Sequence, residues 1–235
     1  MSDIFSRTEA LLGKRALEKL KNARIALFGL GGVGSATFEA LIRSGVGKIE
    51  VFDHDVFSPT NLNRQLLATE ETVGRHKTSA AVARARAINP DAEITVHNMF
   101  YLPENADSIN FCDFDYIIDA VDTVTAKLEI IKRATDAGVG VISCMGTGNK
   151  LDITRLAVSD ISKTEGCPLA RACRKELRAR GINHLKVVWS DEKPFKEADT
   201  GELKGNRPAP ASAIFVPAAA GLLLAQEAVK DIISN

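Results

Sequence analysis

The chain has 235 residues, 45% of them hydrophobic and 26% charged, with 30 Lys and Arg balancing 30 Asp and Glu. That length and apolar content suit one elaborated α/β domain, and zero net charge supplies no global field toward nucleic acid or membrane, so any RNA contact has to be local. The four cysteines, Cys112, Cys144, Cys167 and Cys173, include no C-x-x-C pair, which argues against a disulfide framework and a four-cysteine zinc site and favours a reducing, cytoplasmic setting.

Met1 to Arg15 mixes Asp3, Arg7 and Glu9 with single apolar residues, unlike an export signal, and is read as a helical segment leading into the first strand. Arg24 to Leu30 is a short apolar run ending in glycines, and Val33 to Ser44 carries apolar residues at helical spacing closed by Gly45. Lys48 to Phe52 predicts a second strand ending at Asp53, which completes a right-handed βαβ unit. A helix over Lys77 to Ile88, stopped by Asn89-Pro90, precedes strands Glu93 to Asn98 and Tyr116 to Asp119. Helix Ala126 to Ala137 and strand Val139 to Cys144 follow. The alternation predicts a doubly wound, mainly parallel, Rossmann-like sheet over residues 1–148. Residues 149–235 form a small C-terminal α+β elaboration, packed as part of the same domain. Its strands, Ile153 to Val158 and Lys186 to Trp189, read as a different arrangement and flank a basic helix from Leu169 to Arg180. Lys193 to Pro210, rich in charge, Gly and Pro, predicts a mobile loop before a terminal helix from Pro217 to Ile233. The apolar stretch Ala211 to Ala225 is interrupted by Ser212 and Pro217, too short to span a bilayer, and reads as a buried strand and helix.

Gly29, Gly31 and Gly34 match G-x-G-x-x-G between a strand and a helix, with Gly32 inside the turn, so backbone N–H groups and the helix N-terminus face a phosphate. Asp53 stands where an acidic residue bonds a ribose hydroxyl. Alone, these features fit NAD, FAD or ATP. Asn61, Asn63, Arg64 and Lys77 follow, a set of amide and cationic donors that hydride transfer does not need and phosphate cleavage does, because charge builds on phosphate oxygens in the transition state. Asp119 and Asp122 close a strand at the edge where open sheets bind ligands, and a carboxylate there suits Mg2+. His54, His76, His97 and His184 are scattered, and His54 between Asp53 and Asp55 reads as a loop residue.

Together these residues resemble the E1-like superfamily of ubiquitin-activating enzymes and bacterial molybdopterin and thiamine adenylyltransferases. The resemblance implies an E1-type ATP site in which Gly32 approaches the phosphates and Asp53 the ribose. Asn61, Arg64 and Lys77 would hold the triphosphate and Asp122 the metal. Arg7 matches an arginine that family members reach across a homodimer interface into the partner's site, so the expected catalytic set is Arg7, Arg64, Lys77 and Asp122.

The second lobe bears on what is activated. Arg171, Arg174, Lys175 and Arg178 lie three and four residues apart, on a helix face opposite Leu169, Cys173 and Leu177. Such a stripe suits an RNA backbone or is simply a solvated face. Pro168-Leu169-Ala170-Arg171, Val187-Val188-Trp189-Ser190 and Phe215-Val216-Pro217 are similar to the tRNA threonylcarbamoyladenosine dehydratase branch. That resemblance implies ATP-dependent cyclisation of N6-threonylcarbamoyladenosine at tRNA position 37 through an acyl-adenylate. The expected partners are ATP, Mg2+, tRNA and a second copy of the chain. Two further candidates are a monovalent cation, Na+ or K+, at the Gly146 to Lys150 turn, and a sulfur-transfer protein. No membrane is expected. Cys167 departs from the branch, and with it stands the alternative of an adenylyltransferase activating a ubiquitin-like or sulfur-carrier protein.

Overall fold

The structure, a computed structural model, describes residues 4–195, 203–204, 207–208 and 210–234. Its strands are β1 (Arg24–Phe28), β2 (Lys48–Phe52), β3 (Glu93–His97), β4 (Tyr116–Asp119), β5 (Gly140–Cys144), β6 (Leu156–Asp160) and β7 (Lys186–Ser190). They form one seven-stranded sheet in the order β3-β2-β1-β4-β5-β7-β6. All neighbours are parallel except β6, which runs antiparallel to β7. The helices are α1 (Ser6–Leu12), α2 (Lys14–Asn22), α3 (Gly32–Ser44), α4 (Lys77–Ile88), α5 (Val124–Asp136), α6 (Pro168–Ala179) and α7 (Phe215–Ser234).

The central strands are apolar throughout because helices cover both of their faces. Along β1, Ile25 and Leu27 join α3, α4 and α7 in one core, whereas Ala26 and Phe28 join Phe52, Phe111 and Ile130 of α5 in another. A third cluster seats Ala170, Cys173 and Leu177 of α6 against Leu128 and Ile131 of α5 and Val187 of β7. Helices α3 and α7 approach closely at Gly221, where an added Cβ would lie 2.3 Å from the Val33 carbonyl oxygen.

The doubly wound, mainly parallel sheet agrees with the sequence reading. The strands after residue 149 continue that sheet, β7 pairing with β5, and only the reversed direction of β6 sets them apart. The strand expected from Ile153 begins instead at Leu156, because the Asp152 carboxylate accepts the Thr154 N–H at 2.9 Å and closes a turn over Ile153–Arg155. Ala211 to Ile214 forms no strand and runs directly into α7. The loop expected over 193–210 falls mostly outside the described residues; within it, Leu203–Lys204 pairs antiparallel with Arg207–Pro208. No described helix is long and apolar enough to cross a membrane.

Candidate active site

The chain order reverses at β1, with β2 on one side and β4 on the other, and open α/β sheets bind ligands beyond the C-terminal strand ends at such a switch point. Register brings three segments together there, because Phe28 pairs with both Phe52 and Asp119. Gly29 N–H therefore donates to the Phe52 carbonyl at 2.8 Å and Ala120 N–H to the Phe28 carbonyl at 2.9 Å.

The glycines of the turn have different duties. Gly29 has φ +90°, and a Cβ there would meet the Ala120 carbonyl at 2.9 Å; a Cβ at Gly34 would sit 1.8 Å from the Gly29 carbonyl. Both are required by the backbone. Gly31 caps α3 and a Cβ on it would meet nothing within 4 Å, so no packing demands glycine there. Its open side lies at the helix N-terminus, where unpaired N–H groups attract phosphate.

Asp53 is buried and bridges two segments. Its Oδ2 accepts the Leu30 N–H at 2.7 Å and its Oδ1 the Asp55 N–H at 2.8 Å. Thus Asp53 also fixes the glycine turn, a duty the sequence did not reveal. Lys77, the first residue of α4, is buried and places Nζ 2.7 Å from Asp55 Oδ2, while His54 Nε2 lies 3.1 Å from Asp55 Oδ1. Asp53, His54 and Asp55 bring potential metal ligands together. The Lys77 ammonium on Asp55 opposes a cation there, and both Asp53 oxygens already accept N–H groups.

Arg64 lies against the glycine turn, its Cγ 3.7 Å from where a Gly32 Cβ would stand. Its Nη1 donates to the Thr60 carbonyl at 2.8 Å and to Asn63 Oδ1 at 3.0 Å. Asn63 Nδ2 reaches the Ser212 carbonyl at 2.8 Å, and Asn61 Oδ1 accepts the Ser58 N–H at 3.1 Å. These amides shape the loop that carries Arg64. Ser35, which motif reading passed over, clips the same loop to α3 by accepting the Leu66 N–H at 3.0 Å. The neighbouring Gln65 keeps a buried Oε1 without a protein partner.

Asp119 and Asp122 separate in role. Asp119 is fully buried on Lys127 at 2.7 Å and accepts the Ser143 hydroxyl at 2.6 Å and the Val121 N–H at 3.1 Å. Asp119 is thus a core carboxylate, and the metal expectation rests on Asp122 alone. Asp122 is exposed in the turn before Thr123, the N-cap of α5. Lys127 is a charged residue within an otherwise amphipathic helix pattern, and nothing in its spacing marked it as buried.

Two other expectations concern more distant residues. On α6, Arg171, Lys175 and Arg178 are exposed, but Arg174 Nη1 donates to the Thr164 carbonyl at 2.8 Å and the Ile161 carbonyl at 3.2 Å, so it braces the preceding turn. Arg7 is exposed on α1, beside Leu11 and Leu222. Cys167 is buried at the N-cap of α6, and burial pushes the thiols of Cys144 and Cys173 up to about 12 and about 11.

The model of the ThiF family matches residues 5–235. The chain is 41% identical to the tRNA threonylcarbamoyladenosine dehydratase of Bacillus subtilis, over 98% of this chain and 95% of that one. It is also similar to crystal structures of the tRNA N6-threonylcarbamoyladenosine dehydratase of E. coli. The AMP complex has a TM-score of 0.89 at 31% identity, covering 98% of this chain and 94% of that one. The ATP complex has a TM-score of 0.87 at 31% identity, covering 98% and 93%.

Proposed function

The chain belongs to the ThiF family, and from that membership we propose that it is an ATP-dependent, adenylate-forming dehydratase that cyclises N6-threonylcarbamoyladenosine at position 37 of tRNA. One observation carries the substrate: likeness to the dehydratases extends over 98% of the chain, the α6–β7 region included, and not over the nucleotide site alone.

The site's chemistry fits ATP. Gly31 leaves open space at the N-terminus of α3, Arg64 stands beside Gly32, and Lys77 opens α4 next to the Asp53 segment. We assign the ribose to Asp53, the phosphates to Gly31, Gly32 and Gly34 at the N-terminus of α3 and to Arg64 and Lys77, and Mg2+ to the exposed carboxylate of Asp122; Gly29, Asn61 and Asn63, already bonded within the protein, shape the turn and loop that present them. When bound, Mg2+ neutralises phosphate charge. The threonyl carboxylate attacks the α-phosphorus, pyrophosphate leaves, and an acyl-adenylate forms. A nucleophilic atom of the same modification then attacks the acyl carbon and expels AMP. The net change is loss of one water, and tethering replaces a protein nucleophile by effective concentration.

Exposed Arg171, Lys175 and Arg178 are assigned to the RNA backbone; the bonds of Arg174 make it a brace for them. A second copy is the expected partner at a groove of about 760 Å3 between α1, α3 and α7, where Arg7, Leu11, Ala40 and Leu222 lie. Pairing there would place Arg7 to act in trans. The Gly146 to Lys150 turn offers a monovalent cation the buried, unpartnered Asn149 Oδ1, but the adjoining buried Lys150, whose Nζ donates to the Ser190 carbonyl at 2.8 Å, disfavours that ion. The reaction transfers no sulfur and so requires no sulfur-transfer protein. Its tRNA substrate favours the cytoplasm. The carrier-activating alternative drew on Cys167, whose burial lends it no support.

The test is to incubate the protein with ATP, Mg2+ and tRNA bearing the linear modification. The nucleoside mass should fall by one water while AMP and pyrophosphate appear. An unchanged nucleoside mass despite ATP turnover refutes the assignment.

A further inference from the structure

We propose that Asp55 is a positioning residue for the adenylation step, holding the Lys77 ammonium at the phosphate end of the nucleotide. The inference rests on the reading of this site as an ATP site.

Lys77 is in an unfavourable place for a cation. Its side chain is only 6% exposed, and it sits in the first turn of α4, where the helix dipole is positive. A buried positive charge needs a counter-charge. Asp55 supplies it at 2.7 Å, from a side chain 49% exposed. The contact is doubled through the backbone, because Lys77 N–H donates to the Asp55 carbonyl at 3.1 Å. Asp55 is itself fixed, since its N–H donates to Asp53 Oδ1 and Asp53 Oδ2 accepts the Leu30 N–H. One series of hydrogen bonds therefore runs from the glycine turn through Asp53 and Asp55 to Lys77.

The carboxylate of Asp55 would repel phosphate, so it serves the nucleotide only through the cation it holds. An ammonium has three N–H bonds. With one directed at Asp55, the other two are aimed rather than free to swing. Preorganised donors stabilise developing phosphate charge without reorganisation during reaction. Losing Asp55 would therefore slow chemistry, whereas losing a negative charge beside the triphosphate would not weaken ATP binding.

The experiment measures ATP binding by calorimetry and AMP release from modified tRNA for the wild type, Asp55→Asn, Asp55→Glu, Lys77→Met and the Asp55→Asn/Lys77→Met double variant. Asp55→Asn keeps the backbone hydrogen bonds and should fold. Its kcat should drop about tenfold or more with ATP affinity unchanged or tighter, Asp55→Glu should recover part of the loss, and Asp55→Asn should add nothing once Lys77 is gone. A kcat within about twofold of the wild type, parallel losses of ATP affinity and kcat, or additive losses in the double variant would overturn the proposal. If the wild type releases no AMP from this tRNA, the substrate reading fails instead. Slow background hydrolysis of ATP to AMP by the same variants then decides, and additive losses in the double variant overturn the inference.

Discussion

Lys127 Nζ lies 2.7 Å from Asp119 Oδ2, with both side chains wholly buried beneath the turn that carries Asp122. The same ammonium donates to Ser143 Oγ at 3.1 Å and to the Cys144 carbonyl at 2.8 Å, which uses its three N–H bonds. Such a pair is costly to break because the remaining charge stays buried. Lys127→Met should destabilise the fold by about 3–5 kcal/mol, and adding Asp119→Leu should restore part of that. Urea denaturation checks both. An unchanged midpoint in the single variant would contradict the burial.

Glu39 of α3 accepts from Arg43 at 2.7 Å and from Arg84 of α4 at 2.8 Å. Burial pushes its carboxyl up, but the hydrogen bonds from Arg84 and Arg43 outweigh that and hold it below its ordinary value of 4.5. A lowered folded value means that stabilisation is complete above 4.5 and fades as pH falls through the folded value. Glu39→Gln should cost about 1 kcal/mol at neutral pH, and the difference should vanish in strong acid. A difference independent of pH would show that packing, not charge, is responsible.

Thiol labelling tests the assignment of the cysteines. Cys112 is exposed and the other three are buried, and burial holds Cys144 and Cys173 far above neutral pH. Only thiolates react quickly, so iodoacetamide at neutral pH should add a single label per folded chain, at Cys112. Cys167→Ser should keep dehydratase turnover. Loss of activity in that variant would restore the thioester route and the carrier reading with it.

The basic helix makes a graded prediction. Charge reversal at Arg171, Lys175 or Arg178 should weaken tRNA binding and reduce the salt slope by about 1 for each phosphate that is no longer neutralised. Arg174→Ala should act differently, destabilising by about 1–3 kcal/mol because the Ile161 and Thr164 carbonyls lose their donor. Equal effects of all four on tRNA binding would return Arg174 to the RNA face.

Arg7 is tested by complementation. If two copies pair as proposed, Arg7→Ala and Lys77→Ala should each be severely impaired, whereas mixing them should restore activity at one site of each mixed dimer, where intact Arg7 meets intact Lys77. Activity that stays absent after subunit exchange argues against a shared site.

Much of this protein was readable from local pattern. The glycine spacing after β1, the run Lys48–Phe52 and the capped helix Lys77–Ile88 are properties of contiguous residues, set by backbone conformation and hydrophobic period. The cationic and amide residues after Asp53 are likewise legible as an inventory of polar groups, but not the bonds by which Asn61 and Asn63 brace the loop that carries Arg64. Pairing was not legible. Asp119 and Asp122 are equivalent carboxylates three residues apart, and only the packing of α5, which turns Lys127 inward, commits one to the core and leaves the other in the open. Arg171 and Arg174 share a stripe by spacing, yet the turn at Ile161–Lys163 lies within reach of one alone. Asp55 looked incidental until the start of α4 came to rest on it. The sequence by itself determined the elements and the inventory of charges, because both depend on residues near in the chain. Tertiary structure decided which charges meet, because burial and distance depend on segments far apart in it.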